Sequence, residues 1–143
     1  MLSSSNISVV ETLRLFKAKG VGVTFLVPTE TGLKKSIMDA TRTVREYLQK
    51  NKIHDFEKQP QGTDNKILIS TKLVSKGLVV DTKTSLYRPK TKNGDPRIWI
   101  YKLAEYSESG DLLAITMNKS HLTVINCSKT NLNELLDDKN KYF

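Results

Sequence analysis

The chain has 143 residues, 38% of them apolar and 27% charged, with a net charge of +8. This suits one domain with a real hydrophobic core, and the positive balance predicts a polyanionic partner. A single cysteine, Cys127, and two histidines, His54 and His121, exclude an internal disulfide and a Cys₄ or Cys₂His₂ zinc site, and leave no arguable Ser-His-Asp or Cys-His set.

Residues 1–143 are expected to form a single domain, with a core over about residues 10–128 and a C-terminal helix and tail over 131–143. Met1-Leu-Ser-Ser-Ser-Asn6 lacks the basic and apolar regions of a signal peptide. No stretch approaches the roughly eighteen apolar residues of a membrane span. The expected location is the cytoplasm, and no cofactor or metal is called for.

In chain order, Val9-Val-Glu-Thr-Leu-Arg-Leu-Phe16 alternates like a strand in its second half. Val21–Val27 is β-branched, apolar and ended by Pro28, so it predicts a buried strand. Thr31 can cap a helix over Gly32 to Lys50, with Leu33, Ile37, Ala40, Val44 and Leu48 on one face. His54 to Asn65 holds Pro60, Gly62 and Asp64 and predicts a loop. Strands are expected at Lys66–Lys72, Gly77–Asp81, Lys83–Tyr87, Arg97–Leu103, Leu112–Met117 and Leu122–Cys127. Ser107-Glu-Ser-Gly-Asp111 and Met117-Asn-Lys-Ser120 are the turns between the last three. Asn131, with Glu134 three residues on, starts a short helix over Leu132–Asp138. The fold class is mainly β: a seven-stranded open pseudobarrel, which hides the edges of many short strands, with one early helix and a short C-terminal helix.

Charge is concentrated in two places. Residues 83–102 hold six cations (Lys83, Arg88, Lys90, Lys92, Arg97, Lys102) against Asp95, and residues 13–35 hold five (Arg14, Lys17, Lys19, Lys34, Lys35) against Glu30. The richest stretch is Arg88-Pro-Lys-Thr-Lys-Asn-Gly-Asp-Pro-Arg-Ile-Trp-Ile-Tyr101. A turn between strands tipped with guanidinium, ammonium, carboxamide and carboxylate has the chemistry that reads base edges. Arg donates two bonds to guanine, Asn two to adenine, and Asp accepts from the cytosine amino group. Asn-Gly is equally a preferred hairpin dipeptide, and a charged turn is also what a solvated hairpin tip looks like.

Two other chemistries are open. Asp64, followed by Asp81-Thr82-Lys83, has the outline of a Mg²⁺-dependent nuclease, with two carboxylates for the metal and Lys83 beside the attacking water. Trp99 and Tyr101 beside the basic loop would stack unpaired bases in a β-barrel RNA binder if both were exposed; otherwise they are core or cross-strand packing.

Several pieces are similar to one family. Val23-Thr-Phe-Leu-Val-Pro28 followed by a helix, Asn65-Lys-Ile-Leu-Ile-Ser70, the arm Tyr87-Arg88, Lys90-Thr-Lys-Asn93 and Arg97-Ile98, and the strand in Gly110–Thr116 together resemble the N-terminal DNA-recognition (effector) domain of EcoRII-type restriction endonucleases. That domain shares a seven-stranded pseudobarrel with the plant B-three transcription-factor domains. The resemblance spans about residues 12–128 and implies two arms that grip the major groove of double-stranded DNA, with a linked nuclease domain in the parent protein. It puts the C-arm at Arg88, Lys90, Lys92, Asn93, Asp95 and Arg97, and the N-arm at Lys17, Lys19 and Thr24. Base contacts are expected from Arg97, Asp95, Asn93 and Lys92, and backbone or arm contacts from Arg88, Lys90, Lys17, Lys19, Thr24, Lys34 and Lys35. The implied target is a CC-W-GG-like site. The chain departs from the pattern in Gly94 and Pro96, inserted around the acidic position, and in a longer helix.

Overall fold

A computed structural model describes residues 8–137. The expected tail residues 138–143 and the N-terminal residues 1–7 lie outside the described residues. Seven strands form one curled mixed sheet, a half-barrel, together with five helices. The strands are β1 (Thr24–Leu26), β2 (Met38–Asp39), β3 (Ile67–Ser75), β4 (Leu78–Tyr87), β5 (Arg97–Ile100), β6 (Leu113–Asn118) and β7 (His121–Asn126). They lie in the order β1-β6-β7-β3-β4-β5-β2. Only β3 and β7 pair in parallel; every other neighbour is antiparallel. The two edges of the half-barrel are therefore β1 and β2, which the chain joins through residues 27–37.

Alternation along the strands divides the core in two. Leu26, Leu73, Leu86, Ile98, Ile100, Leu113, Ile115, Leu122 and Val124 enter the concave side, where Ala40, Val44 and Leu48 close it. Val74, Ala114 and Ile125 face the other way and meet Phe16, Leu132, Leu135 and Leu136. Each fully buried aliphatic of this kind contributes about 1.5–3 kcal/mol. Apolar residues on both faces of the central strands explain the nearly unbroken apolar runs at 112–115 and 122–127.

Local chemistry sets the elements, and it departs from the expectation in several places, among them the cap of α2, which is Thr29 and not Thr31. Val9–Phe16 is no strand: α1 (Val9–Ala18) is a helix that buries Thr12 and Phe16, four residues apart. The signal for the helix is Ser8-Val-Val-Glu11, whose Ser8 side chain accepts from the Glu11 N–H at 3.2 Å, as a helix-starting box does. The single helix over 32–50 is broken into α2 (Glu30–Lys35) and α3 (Arg42–Lys50) around β2. Ser36 ends α2 in the left-handed conformation, φ 56°. Gly32 makes that reversal possible, because a methyl group there would stand 2.9 Å from the Ile37 carbonyl oxygen. Gly32→Ala is expected to cost about 1–3 kcal/mol through this overpacking, read from the urea midpoint. Val44 and Leu48 are buried as the helical period requires.

The two strands expected at Gly77–Asp81 and Lys83–Tyr87 are one strand, β4. It is reached from β3 by the two-residue turn Lys76-Gly77, both at positive φ, which matches the twist of paired strands. β5 stops at Ile100 because Lys102 turns left-handed and opens α4 (Leu103–Tyr106). At the C-terminus α5 (Leu132–Asp137) starts as expected, the Glu134 N–H bonding the Asn131 side chain at 3.2 Å.

No helix among the described residues is long and apolar enough to cross a membrane.

Candidate nucleic-acid interface

The arm between β4 and β5 is longer than a tight hairpin turn. Tyr87 pairs with Arg97, so residues 88–96 loop out. At its tip Lys92, Asn93 and Gly94 all have positive φ, at 50°, 57° and 70°. Glycine is at home there, asparagine tolerates it and lysine is held at a cost. The Gly94 N–H bonds to the Thr91 carbonyl at 3.0 Å, and the Asp95 N–H bonds to that of Lys92 at 3.2 Å.

A second loop braces this arm. Arg88 turns inward: its Nε donates to the Gly94 carbonyl at 2.9 Å and its Nη1 to the Gln59 carbonyl at 3.2 Å. The Gly62 N–H bonds to the Arg88 carbonyl at 2.6 Å. Gln59, itself buried, donates to the carbonyls of Asn65 and Leu86, both at 2.9 Å. The loop expected over 54–65 is thus a scaffold for the arm.

The braced arm faces the connection between the two edge strands. Between them lies a groove of about 740 Å³, lined by residues of β1, α2 and β2 on one side and by Pro89, Thr91, Lys92 and Arg97 on the other. Lys35 and Lys92 bring ammonium groups, exposed and with no side-chain partner among the described residues. Arg97 is only 11% exposed and is ion-paired to Asp39, which is 79% exposed. Register makes this pair, since Asp39 stands opposite Arg97 where β2 meets β5. Thr29, Thr31, Thr41, Thr43 and Thr91 add hydroxyls to the wall. The result is a groove lined by Phe25, Leu26, Val27, Ile37 and Met38 together with two ammonium groups, five threonines and one oriented guanidinium–carboxylate pair.

Neither a family model, nor a curated protein, nor a solved structure matches the chain.

The candidate residues divide between places. Lys92 and Arg97 meet Lys35 in the groove between the edge strands. Asn93 and Asp95 turn to the other side of the arm, into a smaller hollow of about 440 Å³ with Arg45, Glu57 and Arg88. Lys90 is exposed and lays its stem over Gly62. Lys34 is exposed and paired with Glu30 at 3.3 Å. The N-arm expectation is not met by the geometry. Thr24 is buried within β1 opposite Ile115. Lys17 and Lys19 belong to the end of α1, whose Phe16 packs on the opposite face of the sheet, and Lys19 reaches Asp137 at 3.3 Å. Residues 27–41, not 17–24, stand across from the arm. Asp39 and the five threonines are not among the contact residues expected from the sequence. A continuous helix over 32–50 would scatter Asp39, Thr41 and Thr43 around its surface.

The nuclease pattern is not brought together. Asp81 stands opposite Lys72 and Ile67 opposite Leu86, a separation of about 17 Å along the ladder. Asp64 lies before Ile67, at the far end from Asp81. Asp81 is instead paired with Lys72 at 2.8 Å, and that hydrogen bond and charge hold its carboxyl below the usual range. Trp99 and Tyr101 are not equally exposed either, at 7% and 37%. Cys127 is buried, which pushes its thiol up to about 12, so it stays protonated and is no nucleophile at neutral pH.

Proposed function

We propose that this chain is a non-catalytic recognition module for double-stranded DNA, reading sequence through the groove between the edge strands. The observation that carries the reading is the convergence of Lys35, Lys92 and the oriented Arg97–Asp39 pair with threonine hydroxyls. Unpaired lysines neutralise phosphates without reading sequence. An oriented guanidinium beside hydroxyls and methyl groups is what distinguishes base edges in the major groove. Asp39 also discourages loose phosphate binding at Arg97, which favours a specific ligand over any polyanion.

On this reading the first arm is residues 27–41 and the second is residues 88–97, with Arg88 a bracing residue. Asn93 and Asp95 face the flank of the duplex with Arg45. The half-barrel flanked by two such arms supports the likeness to the EcoRII-type effector domain, and a linked nuclease domain would supply cutting.

The test is binding to a CC-W-GG duplex and to a scrambled duplex across a salt series. Lys35→Ala and Lys92→Ala are each expected to weaken both duplexes alike and to flatten the log–log salt slope by about 0.9. Arg97→Ala is expected to cost about 1–3 kcal/mol on the preferred duplex and much less on the scrambled one. Equal losses on both duplexes for Arg97→Ala would leave only a basic surface.

A further inference from the structure

We propose that the outer face of β4 and β5 is a separate site for single-stranded nucleic acid. Alternation that sends Leu86, Ile98 and Ile100 into the core sets Ser85, Tyr87, Trp99 and Tyr101 on the other side of the pairing, where Trp99 is still buried with the core cluster and Tyr101 is exposed. There they line an open groove of about 550 Å³. Trp99 forms its floor at 7% exposed, and Tyr101 stands at its edge at 37% exposed. The Tyr101 N–H bonds to the Lys83 carbonyl at 2.9 Å and Thr82 Oγ1 to the Tyr101 carbonyl at 2.8 Å, which fixes the backbone under that ring.

Charge decides the occupant. Lys66, Lys83 and Lys102 line the groove, and among the described residues no carboxylate does. Lys66 holds its ammonium 5.0 Å from the centre of the Tyr87 ring, which sets a cation at the rim by attraction to the π-face. Lys83 and Lys102 have no ion pair among the described residues. The three cations come from three chain segments: just before β3, within β4 and after β5. They are placed to track a backbone of several phosphates. The exposed Tyr101 ring between them suits a base, and a base offers its face only when unpaired and unstacked. A duplex therefore satisfies the lysines but not this ring. This groove shares no lining residue with the one between the edge strands, although the two meet at the end of α2, where Lys35 lines one and Ser36 the other.

Trp99 is the only tryptophan, so occupancy can be read from intrinsic fluorescence. The protein is titrated with oligothymidylate, oligouridylate, a duplex and polyphosphate. Quenching by at least one of the two single strands is expected, and the pair identifies which kind of strand is preferred. Tyr101→Ala, at an exposed ring, is expected to weaken that binding about fivefold or more, and Lys83→Ala to weaken it and flatten its salt dependence. Lys92→Ala leaves it unchanged, while Tyr101→Ala leaves duplex binding measured by mobility shift unchanged, so this site and the duplex site fail independently. Absence of quenching by both single strands overturns the proposal. So does equal quenching by duplex or polyphosphate, or wild-type affinity in Tyr101→Ala.

Discussion

Arg88→Ala is expected to lower stability by about 2–3 kcal/mol and to weaken duplex binding at least tenfold. The guanidinium ties the arm carbonyl of Gly94 to the Gln59 carbonyl of the bracing loop. Hydrogen bonds from a charged donor are each worth about 1.5–3 kcal/mol, and rehydration of the freed carbonyls offsets part of two such bonds. Losing the clamp releases a tip of three consecutive positive-φ residues, so Lys92 must be ordered again on binding, at an entropic cost. Lys90→Ala is the control. It removes the same unit of charge from the same arm but no bond to a carbonyl, and its loss should be several-fold smaller. Arg88→Lys should recover less than half of the stability, since one ammonium cannot span two carbonyls in a fixed fork. Urea midpoints and mobility-shift titrations measure both effects. Equal binding losses for Arg88→Ala and Lys90→Ala would mean that Arg88 acts only through its charge.

Asp111→Ala is expected to cost about 3–5 kcal/mol, a larger loss of stability than at Arg88. Its carboxylate is 1% exposed. It accepts from the Glu108 N–H at 2.9 Å and from Asn126 Nδ2 at 2.9 Å, with Lys129 Nζ at 3.6 Å. Asn126 is itself fully buried and also donates to the Tyr106 carbonyl at 3.0 Å. Removing the carboxylate strands a buried amide proton and a backbone N–H and takes away a counter-charge from Lys129, which is only 16% exposed. The damage falls at the junction of α4 with β6 and β7, whose pairing forms much of the sheet. Asp111→Asn keeps an acceptor in place and should lose about half as much. Unfolding in urea, followed by Trp99 fluorescence, gives the comparison. A loss below about 1 kcal/mol for Asp111→Ala would mean that water replaces the carboxylate.

The candidate interface is partly legible in the sequence. Cation density around Asn93-Gly94 singles out Arg88, Lys92 and Arg97, and Lys92 and Arg97 do line one groove. That density does not distinguish a guanidinium turned outward from one clamped inward, so Arg88 and Lys92 look alike in the sequence. The first arm is not legible, because Lys17 and Lys19 are as basic as Lys34 and Lys35, and charge carries no address. Ser8-Val-Val-Glu11 is a readable start for α1, but the alternation of Leu13, Leu15 and their polar neighbours points the other way.

By itself the sequence determined the apolar alternation of the strands, the Pro28 stop, the Asn131 cap and the positive charge of both arm regions. These depend on neighbours a few residues apart, within reach of local sterics and periodicity. Only the tertiary structure decided which edge strand faces which arm, that Asp39 meets Arg97 across β2 and β5, and that Lys17 and Lys19 lie behind the sheet. The break at Ser36 was also a tertiary decision. An amphipathic pattern continues through residues 33–48, but pairing Met38 and Asp39 with β5 satisfies the edge of the sheet, and tertiary pairing overrides helix propensity there.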